Sequence, residues 1–267
     1  MKKVTYVVAA LCAISFGSFA QSESNEVFIK QLEGANEADV EQGATGAFAR
    51  NNQAKLLQRG EGNTMYVGQG VDNAVAMNNA AALTQQGNNN EGRVVQGRVF
   101  SASGDNVATL KQQGNGNYAG IGQGFEEGTA LGNTATLTQQ GGGGFAEIRQ
   151  GENGVAEANT VTLKQQGNNN EAGIGQGFLG GVAQYNTATL TQSGNRNVAV
   201  ILQGSGRANG TDIAENTAFE SQALVRQHGN EHEVRVIQAG TGDLVDIQQQ
   251  GMGSVARVAQ GTAIITP

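Results

Sequence analysis

The segment NTATLTQQGGGGFAEIRQG, residues 133–151, alternates with a period of two, and glutamine keeps falling on the apolar side of the alternation. Asn133, Ala135, Leu137 and Gln139 share one parity, and Thr134, Thr136, Thr138 and Gln140 share the other. After four glycines the alternation resumes through Ala146, Ile148 and Gln150. A period of two sends successive side chains to opposite faces of a strand, so the segment reads as two half-buried strands joined by a sharp Gly-rich turn. It also places amides on the buried face, and a buried amide without a partner is costly. The fold must therefore supply each of these amides with a partner.

The same pattern begins nine times, at Asn25, Asn52, Asn79, Asn106, Asn133, Asn159, Asn186, Ser221 and Asp243. The spacing is 27 or 26 residues up to the seventh start, then 35 and 22. Each copy reads N-x-A-x-L-x-Q-x-G-x-x-N-x-A-x-I-x-Q, usually followed by Gly. The first glutamine is present in all copies: Gln31, Gln58, Gln85, Gln112, Gln139, Gln165, Gln192, Gln227 and Gln249. So is the second: Gln42, Gln69, Gln96, Gln123, Gln150, Gln176, Gln203, Gln238 and Gln260. The turn carries Asn36, Asn63, Asn90, Asn117, Asn170 and Asn197, and a glycine at Gly60, Gly87, Gly114, Gly141, Gly167, Gly194, Gly229 and Gly251. Linkers such as GATGAFARN and GFEEGTALG vary freely.

One strand–turn–strand unit cannot bury its own inner face, and stacked copies can. The pattern predicts an all-β solenoid of nine stacked repeats, with two facing parallel sheets of cross-β type, ~40 Å long at ~4.8 Å per rung. Identical rungs allow each inward Gln to donate to the amide on one side and accept from the other, an amide ladder of the kind found in cross-β stacks. A slip of one residue would reverse every face, so the ladders also set register. The one proline, Pro267, interrupts no strand.

The repeats occupy residues 25–260. Ahead of them, Lys2 and Lys3 precede the apolar stretch 4–16, and small residues lead to Ala20, so residues 1–20 read as a secretory signal peptide cleaved near Ala20. Residues 21–24 form a short N-terminal segment and 261–267 a C-terminal tail. The single cysteine, Cys12, lies in that leader, so neither disulfides nor thiolate metal sites are expected in the exported chain. Without Lys2 and Lys3 the chain has 14 basic and 23 acidic residues and no basic run, which argues against nucleic-acid partners. No segment is long and apolar enough for a membrane helix, and outward Thr, Lys, Glu and Gln do not suit a membrane barrel.

The motif resembles the curlin repeat, S-x5-Q-x-G-x2-N-x-A-x3-Q, with Asn in place of the leading Ser in seven copies and Ser221 restoring it. The resemblance implies a secreted subunit of curli, the functional amyloid of biofilm matrices, polymerising with copies of itself. It further implies other curli subunits as partners, including a surface-bound nucleator, together with an outer-membrane secretion channel and chaperones. The repeat is longer than in enteric curlins, and the excess lies in the linkers, which are expected to widen the loops without disturbing the core. Arg257 in the ninth repeat is balanced by Asp243 and Asp246, which favours a major subunit over the nucleator, whose final repeat is basic in enteric curli.

Other readings carry less. His228 and His232 stand four apart, but that spacing has no helical-face meaning in a strand–turn setting, and no metal site is expected. The Gly141–Gly144 run falls where the repeat turns, with no helix behind it to hold a phosphate. No Ser/His/Asp arrangement recurs, so neither enzyme activity nor a cofactor is expected. The outward threonines Thr134, Thr136, Thr138, Thr160, Thr162, Thr187, Thr189 and Thr191 suggest an ice-binding face as an alternative, although Lys111 and Lys164 intrude. Glu33 replaces the turn Gly in the first copy, and His232 and Ser254 replace the turn Asn in the last two. The central repeats are thus expected to be the best protected, and the insertion 204–220 the first site of proteolysis.

Overall fold

The computed structural model of the chain describes residues 21–205, 207–208, 211–212 and 217–261. The expected leader, most of the expected tail and part of the insertion at 204–220 lie outside the described residues. Those described form an all-β solenoid without helices. The first half of each repeat contributes a strand to one sheet of nine: Glu26–Leu32, Gln53–Arg59, Ala80–Gln86, Val107–Asn115, Thr134–Gly142, Thr160–Gln166, Thr187–Ser193, Gln222–Asn230 and Leu244–Met252. The second half contributes to a facing sheet of nine, running from Glu37–Ala44 to Val255–Gly261. Every pairing between rungs is parallel and residue for residue, as in Leu110 with Leu137 and Ile121 with Ile148.

This register stacks like on like in the core. Leu56, Leu83, Leu110, Leu137, Leu163 and Leu190 form one buried column, and Val67, Val94, Ile121, Ile148, Ile174 and Ile201 face them from the other sheet. Each such side chain, fully buried, contributes roughly 1.5–3 kcal/mol relative to exposure. The small Ala119, Ala146 and Ala172 fill the second inward position of the facing strands.

The linkers correct the two-sheet expectation. They do not loop out from the core but build a third parallel sheet of eight three-residue strands, from Gln21–Glu23 and Phe48–Arg50 to Val182–Gln184 and Thr217–Phe219. The cross-section is three-sided. What the linkers share is a small central residue, buried in each case: Ala49, Ala76, Ser103, Ala130, Ala156, Ala183 and Ala218. It is small because the chain turns the corner against it. At Gly70, which follows Gln69 with φ 67°, an added Cβ would lie 3.2 Å from the Cβ atoms of both Ala49 and Ala76. The insertion between the seventh and eighth rungs carries an antiparallel pair, Arg207–Ala208 with Thr211–Asp212.

The glycines at the sharp turn answer to a second steric demand. Gly141 has φ 125°, and a Cβ there would overlap the carbonyl oxygen of Gly167 in the next rung. Gly60, Gly87, Gly114, Gly167, Gly194 and Gly229 repeat that contact one rung after another, whereas nothing stands against Gly251 in the last rung. Gly141→Ala should therefore cost about 2–4 kcal/mol, seen as a lower midpoint of chemical denaturation, while Gly251→Ala should cost less because only its backbone conformation is strained.

Candidate functional site

The inward glutamines form two unbroken side-chain ladders. In the first sheet Nε2 of each Gln donates to Oε1 of the Gln one rung later. The chain runs from Gln31 to Gln58 (2.8 Å), on through Gln85, Gln112, Gln139, Gln165, Gln192 and Gln227, and ends at Gln249 (3.0 Å). In the facing sheet the same donation runs from Gln42 to Gln69 (2.7 Å), through Gln96, Gln123, Gln150, Gln176, Gln203 and Gln238, to Gln260 (3.0 Å). In most rungs the second hydrogen of Nε2 finds a backbone carbonyl, as when Gln112 donates to Glu91 at 2.9 Å. Gln58 and Gln69 are fully buried, so these bonds replace the water the amides give up on folding.

The turn asparagines run the other way. Backbone N–H and Nδ2 of Asn63 both donate to Oδ1 of Asn36, at 3.0 Å each, and Nδ2 also donates forward to the Gly87 carbonyl (2.7 Å). Asn90 and Asn117 continue the pattern. Rung five breaks it. Gly144 stands there, its N–H donating to Asn117 Oδ1, and it has no side chain to offer Asn170. The ladder restarts from Asn170 to Asn197 and passes to His232, whose N–H donates to Asn197 Oδ1 (3.1 Å). The buried imidazole then imitates the amide. Nδ1 accepts from Ser254 N–H at 3.2 Å, which assigns the proton to Nε2, 3.2 Å from the His228 carbonyl. Among the described residues, no cluster of three or more metal-ligating side chains forms around it.

A third buried ladder had no role assigned from sequence. The leading asparagines Asn52, Asn79, Asn106, Asn133, Asn159 and Asn186 each send N–H and Nδ2 back to the preceding Oδ1. They also send Nδ2 forward to the third sheet, as from Asn52 to the Ala76 carbonyl at 2.9 Å. The signal was present: the residue before these asparagines is Asn51, Asn78, Asp105 or Gly132 in four rungs. These four adopt φ of 53–63°, the left-handed corner such residues tolerate. Ladders also form outside the core. Gln166 donates to Gln140 (2.8 Å), Gln140 to Gln113 (2.9 Å) and Gln113 to Gln86 (3.5 Å).

On the outer face of the second sheet charges and rings alternate between rungs. Arg149 bridges Glu147 and Glu152 at 2.8 Å each, and its guanidinium lies 5.7 Å from the Phe178 ring centre. Burial pushes the Glu152 carboxyl above the usual range, opposed by Arg149. Burial alone would lower Arg149, but pairing with the two carboxylates raises it. Burial and a hydrogen bond to Glu41 push the Tyr66 phenol up. Tyr118 and Phe145 stack at 5.0 Å. The Arg149 ion pairs lie within one rung, whereas its contact with Phe178, the Tyr66–Glu41 bond and the Tyr118–Phe145 stack tie neighbouring rungs together.

The ladders have ends. Among the described residues each nine-stranded sheet ends in an unpaired edge, Glu26–Leu32 and Glu37–Ala44 on one side, Leu244–Met252 and Val255–Gly261 on the other. Among the described residues, no donor stands behind Oε1 of Gln31 or Gln42. Gln249 and Gln260 donate to the Glu233 and Leu244 carbonyls and have no later Gln to reach.

Three outcomes follow for the ladders. Gln139→Leu leaves Gln112 without an acceptor and Gln165 without a donor. The loss of about 1–3 kcal/mol per orphaned group exceeds the ~1 kcal/mol gained by apolar burial, so thermal stability should fall. Gln140→Leu, which touches only the half-exposed outer ladder, should cost under about 1 kcal/mol. Gly144→Asn should do the opposite, raising stability by about 1 kcal/mol by supplying the missing Oδ1 to Asn170 N–H. A melting temperature that falls for Gly144→Asn would show that the turn has no room for the side chain.

The model of the curlin associated repeat matches residues 104–141, 156–181 and 186–214. No curated protein matches the chain. These three matches fall on the in-register parallel rungs built on Gln, Asn and Gly, and they identify the repeats of this solenoid as similar to curlin associated repeats.

Proposed function

We propose that this chain is a secreted structural subunit that polymerises head to tail into extracellular, curli-type amyloid fibres of a biofilm matrix, serving adhesion and aggregation. The observation that carries the reading is the pair of open edges and their opposite polarity. Glutamine acceptors end one side of the stack and glutamine donors the other, so a second copy can continue both ladders without rearrangement. Exposed sheet edges of this length otherwise invite uncontrolled pairing. Here the side-chain amides restrict that pairing to one register and one direction.

In this reading the chain acts as the major subunit, with a nucleator, a secretion channel and chaperones as its partners, on the strength of its curlin-type repeats. The charge balance of the last rung, where Arg257 pairs with Glu233 (3.0 Å) and Asp246 with Arg226 (3.4 Å), supports this assignment over the nucleator.

At micromolar concentration the chain lacking residues 1–20 should form fibrils that bind thioflavin T within days. A protein that stays monomeric under those conditions refutes the reading. Deleting the gene should remove all surface fibres visible by electron microscopy; soluble, unpolymerised subunit left behind would instead assign this chain to nucleation.

A further inference from the structure

The two edges differ in charge as well as in amide polarity. On the outer face of the first rung, Glu37, Asp39 and Glu41 stand at alternate positions of one strand, and none makes an ion pair among the described residues. On the same face of the last rung stands Arg257, directly above Arg235 in register and bonded to Glu233. Asp39 and Arg257 belong to one column. It runs from Asp39 through Tyr66, Arg93, Gly120, Glu147, Gly173, Val200 and Arg235 to Arg257.

A second observation comes from the leading-Asn ladder. Its ninth position is Asp243, not Asn. In the interior, each such residue offers Oδ1 to the N–H and Nδ2 of the next rung. Asp243 has no next rung among the described residues. At the opposite edge, the Asn25 Nδ2 that would reach back to a preceding oxygen is instead held by Ser22 Oγ at 2.7 Å. A carboxylate is an acceptor only, so Asp243 fits a donor arriving from outside and cannot itself donate.

Resting on the polymerisation reading, we propose that the junction between copies is keyed by charge. The last rung of one copy docks on the first rung of the next, with Gln249 donating to Gln31. Asp243 then accepts from Asn25 N–H, and Arg257 sits against Asp39. The inter-rung register leaves no freedom once the glutamines are aligned. Gln31 stands six residues after Asn25, as Gln249 does after Asp243, and Gln42 stands three after Asp39, as Gln260 does after Arg257. The occupant of each edge is thus a second copy of this chain. Arg257, now stacked on Arg235, gains a carboxylate on its open side. A reversed docking, first rung on first rung, would set three carboxylates against three.

The test uses seeded elongation of the chain lacking residues 1–20, followed by thioflavin T. Asp39→Arg and Arg257→Asp should each elongate on their own seeds roughly fivefold more slowly than wild type. An equimolar mixture of the two variants should recover near wild-type growth, because alternating copies restore an opposite-charge pair at every junction. The recovery cannot come from a misfolded variant, and raising the salt concentration should shrink the deficit of both single variants. Single variants that grow as wild type, or a mixture that grows no faster than either alone, overturn the charge key while leaving polymerisation standing. Failure of the wild-type chain itself to elongate removes the polymerisation reading and the junction with it.

Discussion

Everything in this structure depends on the donation of one side-chain amide to the identical amide a rung away. A buried primary amide has two hydrogens and a carbonyl oxygen to satisfy, and an apolar neighbour satisfies none of them. A copy of itself at the spacing of parallel strands satisfies both the donor and the acceptor. The condition is strict, since the partner must be the same residue at the same place in the next rung. This is why glutamine recurs at both inward positions while outward neighbours range over Thr, Lys, Gly and Arg.

The ladders oppose one another. Glutamines donate forward along the stack and asparagines donate backward, so each rung is tied to both neighbours by side chains as well as by backbone. This redundancy lets single positions depart from the motif. Gly144 leaves out a turn amide and the flanking Gln112–Gln139–Gln165 bonds persist. His232 replaces an asparagine because a neutral imidazole also has one donor and one acceptor facing opposite ways. Ser221 keeps the leading position by taking Asn186 Oδ1 with its N–H and offering Oγ to Asp243 N–H.

A solenoid of this kind places its chemistry at its ends. The lateral faces are occupied by pairs satisfied within the molecule, either inside one rung, as Arg149 with Glu147 and Glu152, or between rungs, as Tyr118 with Phe145. Among the described residues, the unpaired edges carry hydrogen-bonding groups that the fold has aligned and not used. The proposed fibre continues the fold, with the same bonds made between chains as within one.

The sequence by itself determined the strands, the inward parity and the parallel in-register stacking. Each follows from a local period of two and a repeat near 27 residues, and the inward Gln31-to-Gln249 series was legible because only a stack of like rungs makes such residues affordable inside. The third sheet was decided by the tertiary structure alone. Its strands are three residues long, too short to show a period, and Phe48–Arg50 or Val155–Glu157 look like any variable linker. They pair because the corners at Gly70 and its equivalents return the chain to the core, where the backbone of a three-residue segment must find partners and the only ones in reach are its own copies above and below. The direction in which each amide donates was likewise invisible in the sequence, because a row of identical residues has no polarity until the strands orient it.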